Sequence, residues 1–186
     1  MQRTSALTTY VALLRGINVG GNAMVSMKEL KSCFEDLGLR DVVTYINSGN
    51  IIFKDSRKSV PALVKLIESG IRARCKMDIR VVVKSKSDIA AICKKIPAGW
   101  VTDKLMRTDV MFLWDEIDNA EAIAAVPADP AVDRLLHVKG ALIWNVSRKD
   151  YGKSKVPKLV GSRFYKNMTA RNANTTRKLL ELMLSR

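Results

Sequence analysis

The sequence predicts an α+β fold, and three observations carry the prediction. Short apolar runs of strand type alternate with longer segments whose apolar residues recur at spacings of three and four. Over residues 8–84 these follow one another as strand, helix, strand, strand, helix, strand. The same order begins again, more loosely, in the second half. With 186 residues, 47% of them hydrophobic, the chain has the length for one large domain or two small ones and the apolar content for real cores.

Each element has its own warrant. Residues 10–15, YVALLR, form the first strand. Ser26 opens the signature Ser26-Met27-Lys28-Glu29, in which a hydroxyl and a carboxylate satisfy amides of a first helical turn. Met27, Leu30, Phe34 and Leu37 then share one helix face, and Gly38 ends the helix. Residues 42–46 and 51–53 are strands joined through Asn47-Ser48-Gly49-Asn50 as a hairpin. Pro61 fits a first helical turn followed by the stripe Leu63, Leu66, Ile67 and Ile71, and residues 79–83, IRVVV, supply the fourth strand. This βαββαβ order is ferredoxin-like, with both crossovers right-handed and both helices on one sheet face. Because Tyr10, Ala12 and Leu14 alternate with Val11, Leu13 and Arg15, both faces of the first strand are largely apolar, so the second face is expected to be covered.

The division read from the pattern is a ferredoxin-like unit over residues 1–84 packed on a second, incomplete α+β unit over residues 85–186. That second unit begins with a helix over 87–96 and a break at Pro97-Ala98-Gly99. A strand at 110–114, a short helix at 119–126 and a hairpin around Lys139-Gly140 follow, then helices near 154–165 and 174–184. No fourth strand is legible there. The first crossover loop and the central hairpin of the N-terminal unit are expected at opposite ends of its sheet, and so not in one site.

Charge favours anionic partners. The formal net charge is +14, from 32 Lys plus Arg against 18 Asp plus Glu. It is unevenly placed: residues 115–133 hold six acids and no Lys or Arg, whereas residues 148–186 hold eleven Lys plus Arg and two acids. Arg148, Lys149, Lys153, Lys155 and Lys158 fall in one short stretch that suits a phosphate-facing patch or simply a solvated surface. Cys33, Cys75 and Cys93 are odd in number and far apart, which reads as buried thiols in a reducing compartment. No stretch approaches the roughly 18–20 apolar residues of a membrane span, and the N-terminus lacks a signal-peptide pattern, so the expected location is cytoplasmic, with no membrane partner.

The residues that carry chemistry are donors rather than acids and bases. Gly16-Ile17-Asn18-Val19-Gly20-Gly21-Asn22 lacks the Lys-Ser or Lys-Thr of a Walker A loop and the spacing of a dinucleotide fingerprint. Its glycines serve either a turn with several positive φ values or a cradle in which main-chain donors, Arg15, Asn18 and Asn22 meet an anion. His137 is the sole histidine, so Ser/His/Asp and Cys/His schemes have no support, and scattered Cys and His give no metal site. No cofactor is implied. An RNA-recognition domain is disfavoured, since the third strand has no Lys/Arg-Gly-aromatic pattern.

In combination, ALLRGINVGGN, TYINSGNIIF, YGKSK and TARNANTTRKLLEL resemble the bacterial domain-of-unknown-function family 1697 over nearly the whole chain. The resemblance implies a small cytosolic protein of ferredoxin-like α+β architecture with no assigned activity. Here Asn47 stands where that family has Gln, and Ala173 where it has Trp. Carried onto this sequence, the family's polar signatures make Arg15, Gly16, Asn18, Gly20, Gly21, Asn22, Ser48, Asn50, Gly152, Ser154, Lys155, Arg171, Asn172 and Thr175 candidate ligand-binding residues. No catalytic residue is assigned. For Arg171 and Asn172 the alternative is that they cap and tie down the last helix. The resulting expectation is an anion-binding protein whose ligand is nucleic acid or a nucleotide-like, phosphate-bearing metabolite. The alternatives are an enzyme acting on a small phosphorylated metabolite and a protein-interaction module.

Overall fold

The structure is a computed structural model that describes residues 6–18 and 24–186. It falls into two compact units. One contains the described residues up to Ile89 together with Leu179–Arg186, the other Ala90–Lys178.

In the first unit the chain runs through β1 (Thr8–Leu14), α1 (Met27–Asp36), β2 (Arg40–Tyr45), β3 (Asn50–Asp55), α2 (Val60–Cys75) and β4 (Val81–Ser85). The strands pair antiparallel in the order β2-β3-β1-β4, which is the ferredoxin-like arrangement. Alternation sends Tyr10, Ala12, Leu14, Ile51, Phe53, Val81 and Val83 to one face, where they pack with Leu30, Cys33 and Phe34 of α1 and Leu63, Ile67 and Ile71 of α2. Tyr10 stacks on Phe53, and Phe34 meets Phe53 edge-on, both with ring centroids 5.7 Å apart. The opposite face is buried too, with Val11, Leu13 and Ile52 fully excluded from solvent, as the two-sided apolar pattern of β1 requires.

One expectation is overturned. The β1–α1 loop and the β2–β3 hairpin lie at the same end of this sheet. Because α1 carries the chain back, β1 and β2 run parallel, each antiparallel to the β3 between them, so both finish at one edge.

After α3 (Lys86–Lys95), the second unit repeats the order: β5 (Met106–Leu113), α4 (Ala120–Ala124), β6 (Arg134–Val138), β7 (Ala141–Ser147), α5 (Arg163–Lys166) and β8 (Met168–Asn172), leading into α6 (Ala173–Leu184). Its sheet order, β6-β7-β5-β8, is the first sheet's order again. The incomplete unit expected from sequence is therefore complete. Residues 168–172 escape detection because their alternation is inverted: Thr169 and Arg171 occupy a buried position while Ala170 is exposed. Likewise the helix expected over 154–165 is two pieces, a 3-10 turn at Val156–Leu159 holding Pro157 and the short α5, separated by Gly161 at φ +89°.

The duplication reaches individual hydrogen bonds. In the first unit Leu14 N–H donates to the Gly49 carbonyl (2.8 Å) and Arg15 N–H to the Arg80 carbonyl (3.0 Å). In the second, Leu113 N–H donates to the Gly140 carbonyl (3.0 Å) and Trp114 N–H to the Asn167 carbonyl (3.1 Å). The same frame is built twice with different side chains on it.

Candidate functional site

The end of the first sheet collects five of the residues singled out from sequence: Arg15, Gly16, Asn18, Ser48 and Asn50. Asn18 organises it. Its Nδ2 donates to the carbonyls of Val25 and Asn47, both at 3.0 Å, while its Oδ1 accepts the Val25 N–H at 2.9 Å. One amide, with two donors and an acceptor, thus ties the chain entering α1 to the hairpin. Asn18 has φ +53°, a left-handed conformation that asparagine tolerates, and Gly16 has φ +69°. Asn50 is fully buried and its Nδ2 donates to the Tyr45 carbonyl (3.1 Å) and Ser48 Oγ (3.0 Å), fixing the hairpin from inside. Ser26 caps α1, its Oγ accepting from the Lys28 and Glu29 amides. Gly20, Gly21 and Asn22 lie outside the described residues.

Arg80, which sequence reasoning missed, joins Arg15 here. The two are neighbours across the β1–β4 edge through the 3.0 Å backbone bond, Arg15 half-buried and Arg80 exposed. Segments 13–18, 24–28, 45–50 and 79–82 contain no Asp or Glu. Glu68 reaches in from α2, where its carboxylate accepts the Val81 N–H at 2.9 Å.

The remaining candidates belong to the second unit, and most have structural partners. Ser154 Oγ is buried and donates to Asp133 Oδ1 at 2.6 Å; the same carboxylate accepts Trp144 Nε1–H (2.8 Å) and the Asp129 N–H (2.9 Å). Gly152 and Lys155 are exposed beside it. Asn172 caps α6, its Oδ1 accepting the Thr175 N–H at 2.7 Å. Arg171 is buried, donates to Thr169 Oγ1 and the Ala170 carbonyl, and has its pKa pushed down to about 10 by loss of solvent. On the other sheet face Asp109, which pairs in register with both Trp144 and Asn172, accepts from Arg107 Nε at 2.7 Å. Arg107 also donates to the Tyr151 hydroxyl and lies 5.1 Å from the Tyr151 ring centre and 5.6 Å from that of Trp144. The Arg-x-Asp spacing at 107 and 109, two residues apart in a strand, was the legible signal for this cluster.

The chemistry on offer is recognition rather than proton transfer. His137 Nε2 is 2.8 Å from Asp118 Oδ1, and Asp118 Oδ2 accepts the Gly140 N–H, so this pair ties down the second hairpin. Burial raises the pKa of all three thiols, that of Cys93 to about 11, which keeps them protonated and poorly nucleophilic. Among the described residues no group of three or more His, Cys, Asp or Glu is placed to hold a metal ion, and no helix is long and apolar enough to cross a membrane. A pocket of about 240 Å³ in the second unit has Glu116, Glu121, Arg163 and Phe164 in its walls; none of the candidate residues lines it.

Two ferredoxin-like units with one strand order, the first carrying a basic, asparagine-clasped sheet end, define the class of protein. The chain belongs to the family described as "Protein of unknown function (DUF1697)", whose model matches residues 7–144. It is similar to a conserved bacterial protein, SP0830, from Streptococcus pneumoniae, with 34% identity and a TM-score of 0.82 over 96% of this chain and 99% of that one. No curated protein matches it.

Proposed function

We propose that the end of the first sheet formed by β1, the β2–β3 hairpin and the start of β4 binds a phosphate-bearing anion, with Arg15 and Arg80 as its cationic contacts. The duplicated frame carries this reading. At the positions where the first unit has Arg15 and Arg80, the second unit makes the same backbone bonds with Trp114 and Asn167. The second unit thus builds its sheet end with no guanidinium group at these positions, which singles out Arg15 and Arg80 as features particular to the first. Planar guanidinium donors suit phosphate oxygens, and the overall charge of +14 draws anions toward the protein.

Titration with inorganic phosphate, nucleotides and a fluorescent single-stranded oligonucleotide tests the proposal. Arg15→Ala and Arg80→Ala are each expected to weaken binding by about tenfold, or ~1.4 kcal/mol. If the ligand is a nucleic acid, affinity falls steeply between about 50 and 200 mM salt through counterion release; a single phosphate shows a much shallower dependence. Failure of all three probes to bind at low salt rejects the reading.

A further inference from the structure

We infer that the pocket between α4 and α5 of the second unit takes a small zwitterion with an apolar body, of the class of a free α-amino acid with a hydrocarbon side chain. The two units differ at this place in their common order. In the first, the connections after β1 and β3 are full helices, α1 of ten residues and α2 of sixteen, and they meet closely: a Cβ on Gly70 of α2 would stand 2.7 Å from Leu37 Cδ1 at the end of α1. In the second, the helices at the corresponding places, α4 and α5, have five and four residues. A pocket of about 240 Å³ opens there, lined from both short helices. Its floor is the core of the unit, since Ile117 and Phe164 are buried members of that core, and Ala122 and Ala125 have no side chain beyond a methyl group to fill the space.

The exposed part of the lining carries charges of both signs. Glu121 and Arg163 both line the pocket, yet they do not pair with each other, and among the described residues neither side chain has a hydrogen-bond or salt-bridge partner. A ligand with an ammonium and a carboxylate satisfies both groups at once, while its hydrocarbon covers Ile117 and Phe164. A simple anion would meet the carboxylates of Glu116 and Glu121, and a simple cation would meet Arg163, so each is served less well. Size narrows the class further, because the volume falls below the roughly 300–1,000 Å³ of pockets that take drug-sized ligands. Residues 115–133 hold six acids and no Lys or Arg in a chain of net charge +14, so on an otherwise basic protein this segment attracts an ammonium group. The pocket shares no residue with the anion site of the first unit, and the inference is independent of that reading.

Calorimetric titration of the full chain with leucine, phenylalanine, glycine, phenethylamine and hydrocinnamate is the test. Leucine and phenylalanine are expected to bind. Phenethylamine and hydrocinnamate, each lacking one of the two charges, should bind at least tenfold more weakly than phenylalanine, and glycine, which has both charges and no hydrocarbon, at least tenfold more weakly than leucine. Arg163→Gln should bring phenylalanine down to the affinity of phenethylamine, and Glu121→Gln should bring it down to that of hydrocinnamate. Both side chains are exposed and unpaired, so neither variant is expected to move the melting temperature, and lost affinity then reports a lost contact rather than lost folding. Absence of binding by both leucine and phenylalanine at millimolar concentration overturns the inference. So does equal affinity for phenylalanine and its two single-charge analogues, or a preference that survives both substitutions. None of these outcomes touches the anion site, which is judged by its own phosphate titration.

Discussion

At Gly49 the chain has no room for a methyl group: a Cβ there would sit 2.7 Å from Leu14 Cβ and 2.8 Å from Ile17 Cδ1, at a φ of +72°. Gly38 has a similar φ, +77°, and nothing within 4 Å of its absent Cβ. Gly38→Ala is therefore expected to cost about 1–2 kcal/mol from the left-handed backbone alone. Gly49→Ala adds overpacking of about 1–3 kcal/mol. Urea denaturation of both variants checks the difference, and equal losses would mean that Leu14 and Ile17 move aside freely. Asp133 is the second residue on which much depends, a buried carboxylate receiving Trp144, Ser154 and a main-chain amide. Ser154→Ala should destabilise by about 1.5–3 kcal/mol, the range for a lost hydrogen bond to a charged acceptor. Ser154 stood out in the sequence as part of YGKSK, but the sequence could not show that its partner lies twenty-one residues earlier. Buried polar pairing of this kind leaves no trace in periodicity.

Elements were legible where local chemistry agreed with tertiary need. The Ser26 cap, Pro61 in the first turn of α2 and the two hairpins all announced themselves through turn and cap residues. Two things were not legible, for different reasons. β8 buries polar side chains, Thr169 and Arg171, so its pattern contradicts the rule by which strands are read. The shared end of the loop and hairpin followed from topology that the sequence did supply, since a βαβ crossover makes β1 and β2 parallel; the error lay in the geometry drawn from a correct element order. Between α3 and α6 a weaker contact yields a pH prediction. Cys93 Sγ lies 3.7 Å from the Thr176 carbonyl, and burial pushes its pKa from 9.0 to about 11. The folded state thus holds the thiol proton over a range in which the unfolded chain has released it, so stability falls as pH rises from about 9 toward 11 and is untouched below that window. Cys93→Ala should reduce this alkaline slope, with the remainder shared by Cys33 and Cys75, whose pKa values are raised as well. Urea midpoints at pH 8 and 10.5 measure it; identical slopes in variant and wild type would show that Cys93 titrates normally.

For the molecule as a whole, the two copies of one frame supply an experiment that most folds do not offer. Each copy closes its first strand onto its hairpin and its last strand through equivalent main-chain bonds, and the residue after the first strand is arginine in one copy and tryptophan in the other. Exchange of side chains between the copies then separates folding from function more cleanly than alanine does. Arg15→Trp with Arg80→Asn gives the first unit the residues that the second already accommodates. Because main-chain bonds are kept and Arg80 is exposed, the double variant is expected to fold, and its urea midpoint measures what replacement of the half-buried Arg15 side chain costs. Phosphate affinity should drop by roughly a hundredfold if the two arginines contribute independently, and by less if they act as one clamp, since neighbouring groups are not additive. A variant that folds and still binds phosphate as tightly as the wild type places the anion elsewhere, and the basic stretch that includes Lys155 and Lys158 becomes the segment to mutate next.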